Sequence, residues 1–442
     1  MGKIMCGTGK AMITPPADLL PNLYGLMGSR YAGVIDNLYV RVMMLANDEG
    51  EKCLFVSWDL DKAPNPELIV PELAKKTGTA EDNILYFGVH THCAPCHSAR
   101  IYDGPNAKHL QTPERIEATN AYEHFIYIKL MEAVELTVDS MRPARIGRGL
   151  GKSYIGVNRI QDYFIEKEGE PLLRCTALGS NPEGKADPTL FVMRVEDYSG
   201  QPLGFLVNHA VHCCVMIMNN FDSERGVGIS ADIAGQVSTL LEERYPGAVA
   251  LWSSGAAGDI NPIMMNQYNY ADPVTGEPAE SRDYSSAEPA KLMLLQLSRR
   301  QFADVLRVNR EIICDIEEAE ISGATETVNA DMPGSSSNPY QIRLRGVRIG
   351  SLAMCGVSGE LFNSLGKEIQ ARSGFDHTII INHECCLQIN SGYIFDDETL
   401  EKCLQADGSL LGGLPGLRDN PLRPGYLLPE LKKSAAKLFD RL

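Results

Sequence analysis

The 442-residue sequence contains no apolar run of 18 residues, so it offers no membrane-spanning helix. Near its start it lacks an apolar segment followed by a small-residue cleavage site, and it reads as cytoplasmic. Positive charge is in deficit. The 41 basic and 57 acidic side chains leave a net charge of -16, which opposes nucleic-acid binding and stable membrane association. There is no internal repeat of 20 to 50 residues and no low-complexity tract, which argues against a repeat architecture. What remains is ordinary globular composition, 44% hydrophobic and 22% charged, in a chain long enough to bury a large core. The twelve cysteines read as reduced, small buried apolar residues, since a chain this long in the cytoplasm is no disulfide scaffold.

Strand-like runs alternate with helix-like ones. Residues 40–46 and 53–58 read as strands joined by a turn at 47–50, and 83–89 as a third strand. Ile126, Leu130, Val134 and Val138 predict a helix after His124. Runs 190–195 and 204–211 form a predicted hairpin. A helix capped by Ser230 leads to a buried strand over 248–252. Leu292, Leu295, Phe302 and Leu306 mark a further helix. Residues 348–357 read as a strand, 359–372 as a helix, 378–382 as a β-rich run and 429–442 as a closing helix. Stretches 267–286 and 408–426 read as loops. No linker is evident. The expectation is one α/β domain over 1–442, mixed sheets packed with helices, with an insertion or lid near 263–290.

Nine histidines are present, and three lie in the segment Gly-Val-His-Thr-His-Cys-Ala-Pro-Cys-His over 88–97. On a strand, His90 and His92 share a face, because side chains alternate. Such a pair can present imidazoles to one metal, or it can be an incidental polar loop. Both readings stay open on the motif alone. A second cluster holds His209 and His212, which face opposite ways on an extended chain; His209 reads as a satisfied core or loop histidine. Cys93 and Cys96 before His97 match a c-type haem attachment pattern. Haem is rejected because no export signal is visible, and a zinc ribbon because no second C-x-x-C exists. The third feature runs from Leu251 through small residues to Asp259, Asn261 and Pro262. Its small residues allow close backbone approach, and it lacks the Gly-Lys-Ser/Thr ending of a P-loop.

Taken in order, these pieces resemble the neutral, non-lysosomal ceramidase family, in its zinc-bearing catalytic domain. The opening Gly-Thr-Gly-Lys-Ala-Met-Ile-Thr-Pro-Pro over 7–16 carries the resemblance first. Asp36 to Arg41 and Val56 to Asp59 follow. Then come His90-Thr-His92 with Pro95, Asn158-Arg159, Val211-His212, Ala231-Asp232, Gly258 to Pro262, Gly359-Glu360 and Gly392-Tyr393. The resemblance implies that His90, His212, Glu360 and Tyr393 hold zinc, with His92 behind them and Arg159 lining the site. It implies hydrolysis of a linear amide by attack of a zinc-bound hydroxide on the carbonyl. His92 would move protons or fix the site. Tyr393, or the backbone over 258–261, would help stabilise the oxyanion. Arg159 would either anchor a polar substrate group or form a structural ion pair, and Asp259 would orient its loop.

The sequence also departs from the family. Asn261 stands where the family has Ser, and could donate to substrate in its place. Gln405 stands at the second active-site tyrosine, and the sequence ends soon after the Tyr393 segment, where the family continues into an immunoglobulin-like domain. The substrate expected is therefore a small polar amide rather than ceramide. The alternatives are an esterase or lactonase on the same site, and a metal-binding homologue without activity. Nothing in the sequence opposes a homo-oligomer.

Overall fold

The computed structural model describes residues 2–25, 30–97, 112–165, 169, 172–219, 221, 226–265, 287–330, 340–386, 392–405, 408, 410, 412–414, 416–417 and 420–442. Three sheets dominate them. The first runs Glu318–Ala319, Gly2–Met12, Tyr39–Asn47, Lys52–Trp58, Ile84–Gly88. The second runs Val249–Ser254, Pro202–His209, Thr189–Glu196, Arg145–Lys152. The third runs Ile321–Ala330, Tyr340–Ile349, Leu352–Val357, His377–Ile381.

Each sheet contains one parallel pair: Lys52–Trp58 with Ile84–Gly88, Pro202–His209 with Val249–Ser254, and Leu352–Val357 with His377–Ile381. A parallel pair needs a crossover, and a helix supplies it each time. The helices are Pro66–Thr77, Asp232–Arg244 and Asn363–Gln370. These parallel strands are nearly continuous apolar runs buried on both faces, as in Cys53, Leu54, Phe55 and Val56.

The sheets meet in a shared core. Ile4, Met43 and Phe55 come from the first, Phe191, Leu206 and Leu251 from the second, and Val347, Met354 and Ile379 from the third. Outer layers complete the packing. Helix Pro113–Asp139 lies on the first sheet, Glu288–Glu311 beside the second, and Leu427–Asp440 on the third. Among the described residues, no helix is long and apolar enough to cross a membrane. All twelve cysteines are buried and free.

The mixed α/β architecture and most elements agree with the sequence reading, and the differences have physical reasons. Residues 348–357 form two strands, because Gly350 adopts φ 58 and reverses the chain. The predicted helix after His124 starts at Pro113, where Thr112 accepts the Arg115 N–H, so exposed His124 lies mid-helix. In Glu288–Glu311 the inner face is Leu294, Leu297, Val305 and Val308, while Leu292 and Leu295 are exposed. The described residues of the 408–426 segment form no helix or strand, yet Leu410, Leu414, Leu417 and Leu422 are buried in the core of the third sheet. The expected insertion at 263–290 and the loop at 267–286 fall mostly on residues 266–286, outside those described.

Candidate metal centre

Side chains that follow the C-terminal ends of the three parallel pairs converge on one buried point. Open α/β sheets commonly place ligands at that edge. From the first sheet come Asp61 and His90, from the second His212 and the 255–261 loop, from the third Glu360 and His383.

His90 does not sit on a strand as expected. The strand stops at Gly88, and His90 takes φ 66, a left-handed conformation that His tolerates better than most residues. The chain then turns and delivers His92, whose Nε2 lies 3.3 Å from His90 Nε2. Thr91 pairs with Cys213 in an isolated bridge, and His92 N–H donates to Cys213 O at 3.1 Å. That bridge sets the two histidine segments side by side. His212 has its Nδ1 on Ile260 O at 3.1 Å, so its Nε2 faces inward, 3.2 Å from Glu360 Oε2. His90 Nε2 is 3.4 Å from the same oxygen. The ring nitrogens of His90, His92 and His212 lie within 4.8 Å of one another and could hold a metal. His209 turns away into the core, as expected, and its Nδ1–H donates to Thr189 O at 3.0 Å, while its buried Nε2 has no hydrogen-bond partner among the described residues.

Glu360 belongs to a two-residue strand rather than to the following helix. Glu360–Leu361 pairs in parallel with Tyr393–Ile394, in the register Glu360 to Tyr393, and the helix starts only at Asn363. This pairing brings the two expected oxygen donors together across 33 residues of chain. The Tyr393 hydroxyl hydrogen-bonds with Arg159 and Glu360.

Charge in this buried space is shared unevenly. Burial disfavours a proton on His90, but Glu360 and Asp61 outweigh it and push its pKa up to about 10. Burial and the neighbouring His90 drive His92 down to about 3. Burial and Arg159 drive His212 down to about 4. Burial works against ionised Glu360, yet His90 and His212 hold its carboxyl well below the usual range. In the metal-free site a proton on His90 therefore lies between two carboxylates, Glu360 and Asp61, with the Arg159 guanidinium beside His212.

Arg159 is buried, and its N–H groups are occupied: Nε donates to Gly258 O at 3.1 Å and Nη1 to Asn261 Oδ1 at 3.2 Å. Its guanidinium also stacks over Tyr393, 4.9 Å from the ring centroid. Asp259 accepts from Asn363 N at 2.7 Å and Asn158 Nδ2 at 3.0 Å, tying the loop to helix and strand. Burial raises its pKa to about 7. Asn261, read as a donor to substrate, has its oxygen on Arg159 and its Nδ2 3.5 Å from Met265 Sδ. In the 258–261 backbone, the Gly258 N–H goes to Leu361 O and the Ile260 N–H to Ala257 O. Those two donors are not free for an oxyanion. Gln405 is exposed, with its Nε2 3.5 Å from Cys403 O.

Sequence reasoning missed Asp61 and His383. Asp61 Oδ1 lies 2.8 Å from His90 Nδ1, and the His383 ring stacks flat on His90. Their only signal was position, two or three residues beyond a strand end.

Gly258 marks how tightly the loop is fitted. A Cβ there would lie 2.3 Å from Glu360 O and 2.8 Å from the Phe362 ring. Gly258→Ala is expected to cost about 1–3 kcal/mol, the range of an overpacked core, and to weaken metal uptake by displacing Glu360. Urea unfolding in chelator and metal titration read the two effects separately.

No family model matches the chain. In sequence it is similar to neutral ceramidase A of Dictyostelium discoideum, 25% identical over 261 residues, which are 56% of this chain and 33% of that protein. The match thus spans about a third of that relative's length. In structure it is similar to the neutral ceramidase of Pseudomonas aeruginosa, with TM-score 0.67 and 17% identity, covering 100% of this chain and 75% of that one. It is also similar to a ceramidase solved in complex with C2, with TM-score 0.69 and 17% identity, covering 100% of this chain and 76% of that one. In ordered motifs, in sequence over part of its length and in fold, the chain is thus similar to neutral ceramidases.

Proposed function

We propose that the protein is a zinc-dependent hydrolase of a linear amide bond, with the metal held by His90, His212, Glu360 and Tyr393. The observation that carries this reading is the spacing of the inward donors. His212 Nε2 and Glu360 Oε2 are 3.2 Å apart, and His90 Nε2 and Glu360 Oε2 3.4 Å. A tetrahedron with zinc–ligand bonds of about 2.0–2.1 Å has edges of about 3.3–3.4 Å. Two imidazoles and a carboxylate are ordinary zinc donors, and the likeness to a neutral ceramidase supports amide chemistry. Zinc held there would supply Lewis acidity, lowering the pKa of a bound water and polarising a carbonyl.

The chain's own groups divide the remaining work. His92, its Nε2 3.3 Å from His90 Nε2, is assigned to accept and return the proton. Tyr393 is assigned to oppose negative charge on the carbonyl oxygen. In the metal-free site burial raises its pKa and the phenol is protonated beside Arg159 and Glu360. Arg159, with its N–H groups given to Gly258 and Asn261, positions the loop and is not the substrate anchor. Asp61 fixes the tautomer of His90, as a carboxylate behind a metal-bound histidine does. A small polar amide is the proposed substrate class. Asn261 leaves no free hydroxyl where the family carries Ser.

Elemental mass spectrometry of the purified protein is expected to find about one zinc per chain, in line with a single donor set, and His90→Ala is expected to abolish it. The loaded protein is then offered short N-acyl amides, a ceramide, esters and lactones. Turnover of the short amides supports the reading, and turnover of ceramide alone overturns the substrate class. Turnover confined to esters or lactones makes the protein an esterase or lactonase. Bound metal without turnover of any of them leaves a metal-binding homologue. Wild type that takes up no zinc overturns the metal itself.

A further inference from the structure

We infer that His383 is a positioning residue of the metal centre, a flat face that locks the plane of the His90 imidazole; this rests on the reading of His90 as a metal ligand. His90 and His383 occupy the same place in two of the three parallel pairs. Each follows the end of the second strand by two residues, after Gly88 and after Ile381. Each is left-handed, with φ 66 and φ 60, and each is buried.

The backbone keys His383 to both ligand-bearing segments. Gly88 N–H donates to His383 O, just before His90, and His383 N–H donates to Gly359 O, just before Glu360. The next residues extend the seam, with Glu384 N–H on Val357 O and Cys385 N–H on Tyr86 O. The segment is therefore a crosspiece between the first and third sheets, at the point where each delivers a proposed ligand.

The rings meet face to face, with centroids 3.9 Å apart and planes 11° from parallel. The other two imidazoles touch His90 on edge, His92 at 82° and His212 at 71°. Asp61 beside Nδ1, and Glu360 and His92 beside Nε2, hold the His90 ring at its edge, and edge contacts leave the plane of the ring free to tilt. A tilt carries Nε2 out of the plane in which its lone pair must meet a metal. The flat contact removes that freedom. The His383 Nδ1 has no hydrogen-bond partner among the described residues, so that nitrogen is not what holds it there. The ring serves as a surface, and a hydrocarbon ring should serve as well.

Two variants separate the ring from the backbone. His383→Asn removes the ring but keeps a residue that tolerates left-handed φ. His383→Phe keeps a flat ring and removes both nitrogens. Zinc affinity is measured by competition against a chromophoric chelator, and melting temperature in excess EDTA reports the metal-free fold. His383→Asn is expected to bind zinc about 10–100-fold more weakly, the range for loss of an outer residue that orients a ligand. His383→Phe is expected to recover most of that loss, with both variants melting near wild type in EDTA. In histidine-labelled protein, the His90 ring protons should lose their stacking-induced upfield shift in His383→Asn and keep it in His383→Phe. Equal zinc affinity in wild type and His383→Asn overturns this inference alone. A Phe variant as weak as Asn, with its fold intact, also overturns it, because a nitrogen would then matter. Wild type that binds no zinc overturns it together with the metal reading.

Discussion

Glu360→Ala is expected to strip the metal from the protein and abolish hydrolysis while leaving the metal-free fold close to wild type. The carboxylate is the one anionic oxygen that touches both His90 and His212, at 3.4 and 3.2 Å. Without it the inward set is reduced to imidazoles and a phenol, and the charge that balances a dication is gone. Elemental analysis should fall from about one zinc per chain toward zero, because the donors that remain are neutral and lack the anionic oxygen that bridges His90 and His212. The fold should survive because the partner charge is disposable. His90 holds its proton largely through Glu360 and Asp61, and it can release that proton when Glu360 is removed. Arg159, which also faces Glu360, keeps its hydrogen bonds to Gly258 O and Asn261 Oδ1. Full zinc occupancy in Glu360→Ala would sink the assignment. An unfolded variant in EDTA would show that Glu360 is structural.

Arg41→Met is expected to have the opposite profile, a large loss of stability with the metal donors untouched. Arg41 is 1% exposed and never loses its charge. Its Nη1 lies 2.7 Å from Asp59 Oδ2 and its Nε 2.9 Å from Glu242 Oε1. Asp59 also accepts the Tyr39 N–H, and Glu242 the Ala250 N–H. The network therefore joins the first sheet, the second sheet and helix Asp232–Arg244. Removing one partner of a buried pair costs about 3–5 kcal/mol, because the other charge is left uncompensated. Lys10, 2.6 Å from Glu242 Oε2, still answers part of that charge, so Asp59 bears most of the penalty.

The sign of the pH dependence follows. Burial already raises the Asp59 pKa against the pull of Arg41, and losing Arg41 raises it further. A carboxyl with a raised folded pKa adds stability below its unfolded value of about 3.9, and loses it as pH climbs toward the folded value. The pKa of Glu242 is lowered in the native protein, burial being outweighed by Arg41 and Lys10. Its contribution is present above its unfolded value and shrinks in the variant. Both effects widen the gap between wild type and Arg41→Met as pH rises from 4 to 8. Urea titrations in EDTA across that range test this. A gap below about 1 kcal/mol at pH 8 would place the pair among solvated ion pairs, and the account of a dry network would fall.

The sequence by itself determined the local elements and most of the candidate donors. Apolar runs such as 53–58 are strands in any fold that buries them, and a histidine pair two residues apart is visible without coordinates. Ordered motifs pointed to His90, His92, His212, Glu360 and Tyr393, all of which meet in one buried space. What no local pattern could give was which strand ends would face one another. The three parallel pairs span 52–88, 202–254 and 352–381, unequal lengths without shared residues, so no repeat period exposes them. Their common core, built from all three sheets, brings their C-terminal ends together. That convergence selected Asp61 and His383, which look like any acid or histidine after a strand. It also set the Asn261 side-chain oxygen against Arg159. Periodicity and residue type act within one segment of chain. A metal centre assembled from residues 300 positions apart is set by packing between sheets, and only the tertiary structure contains that information.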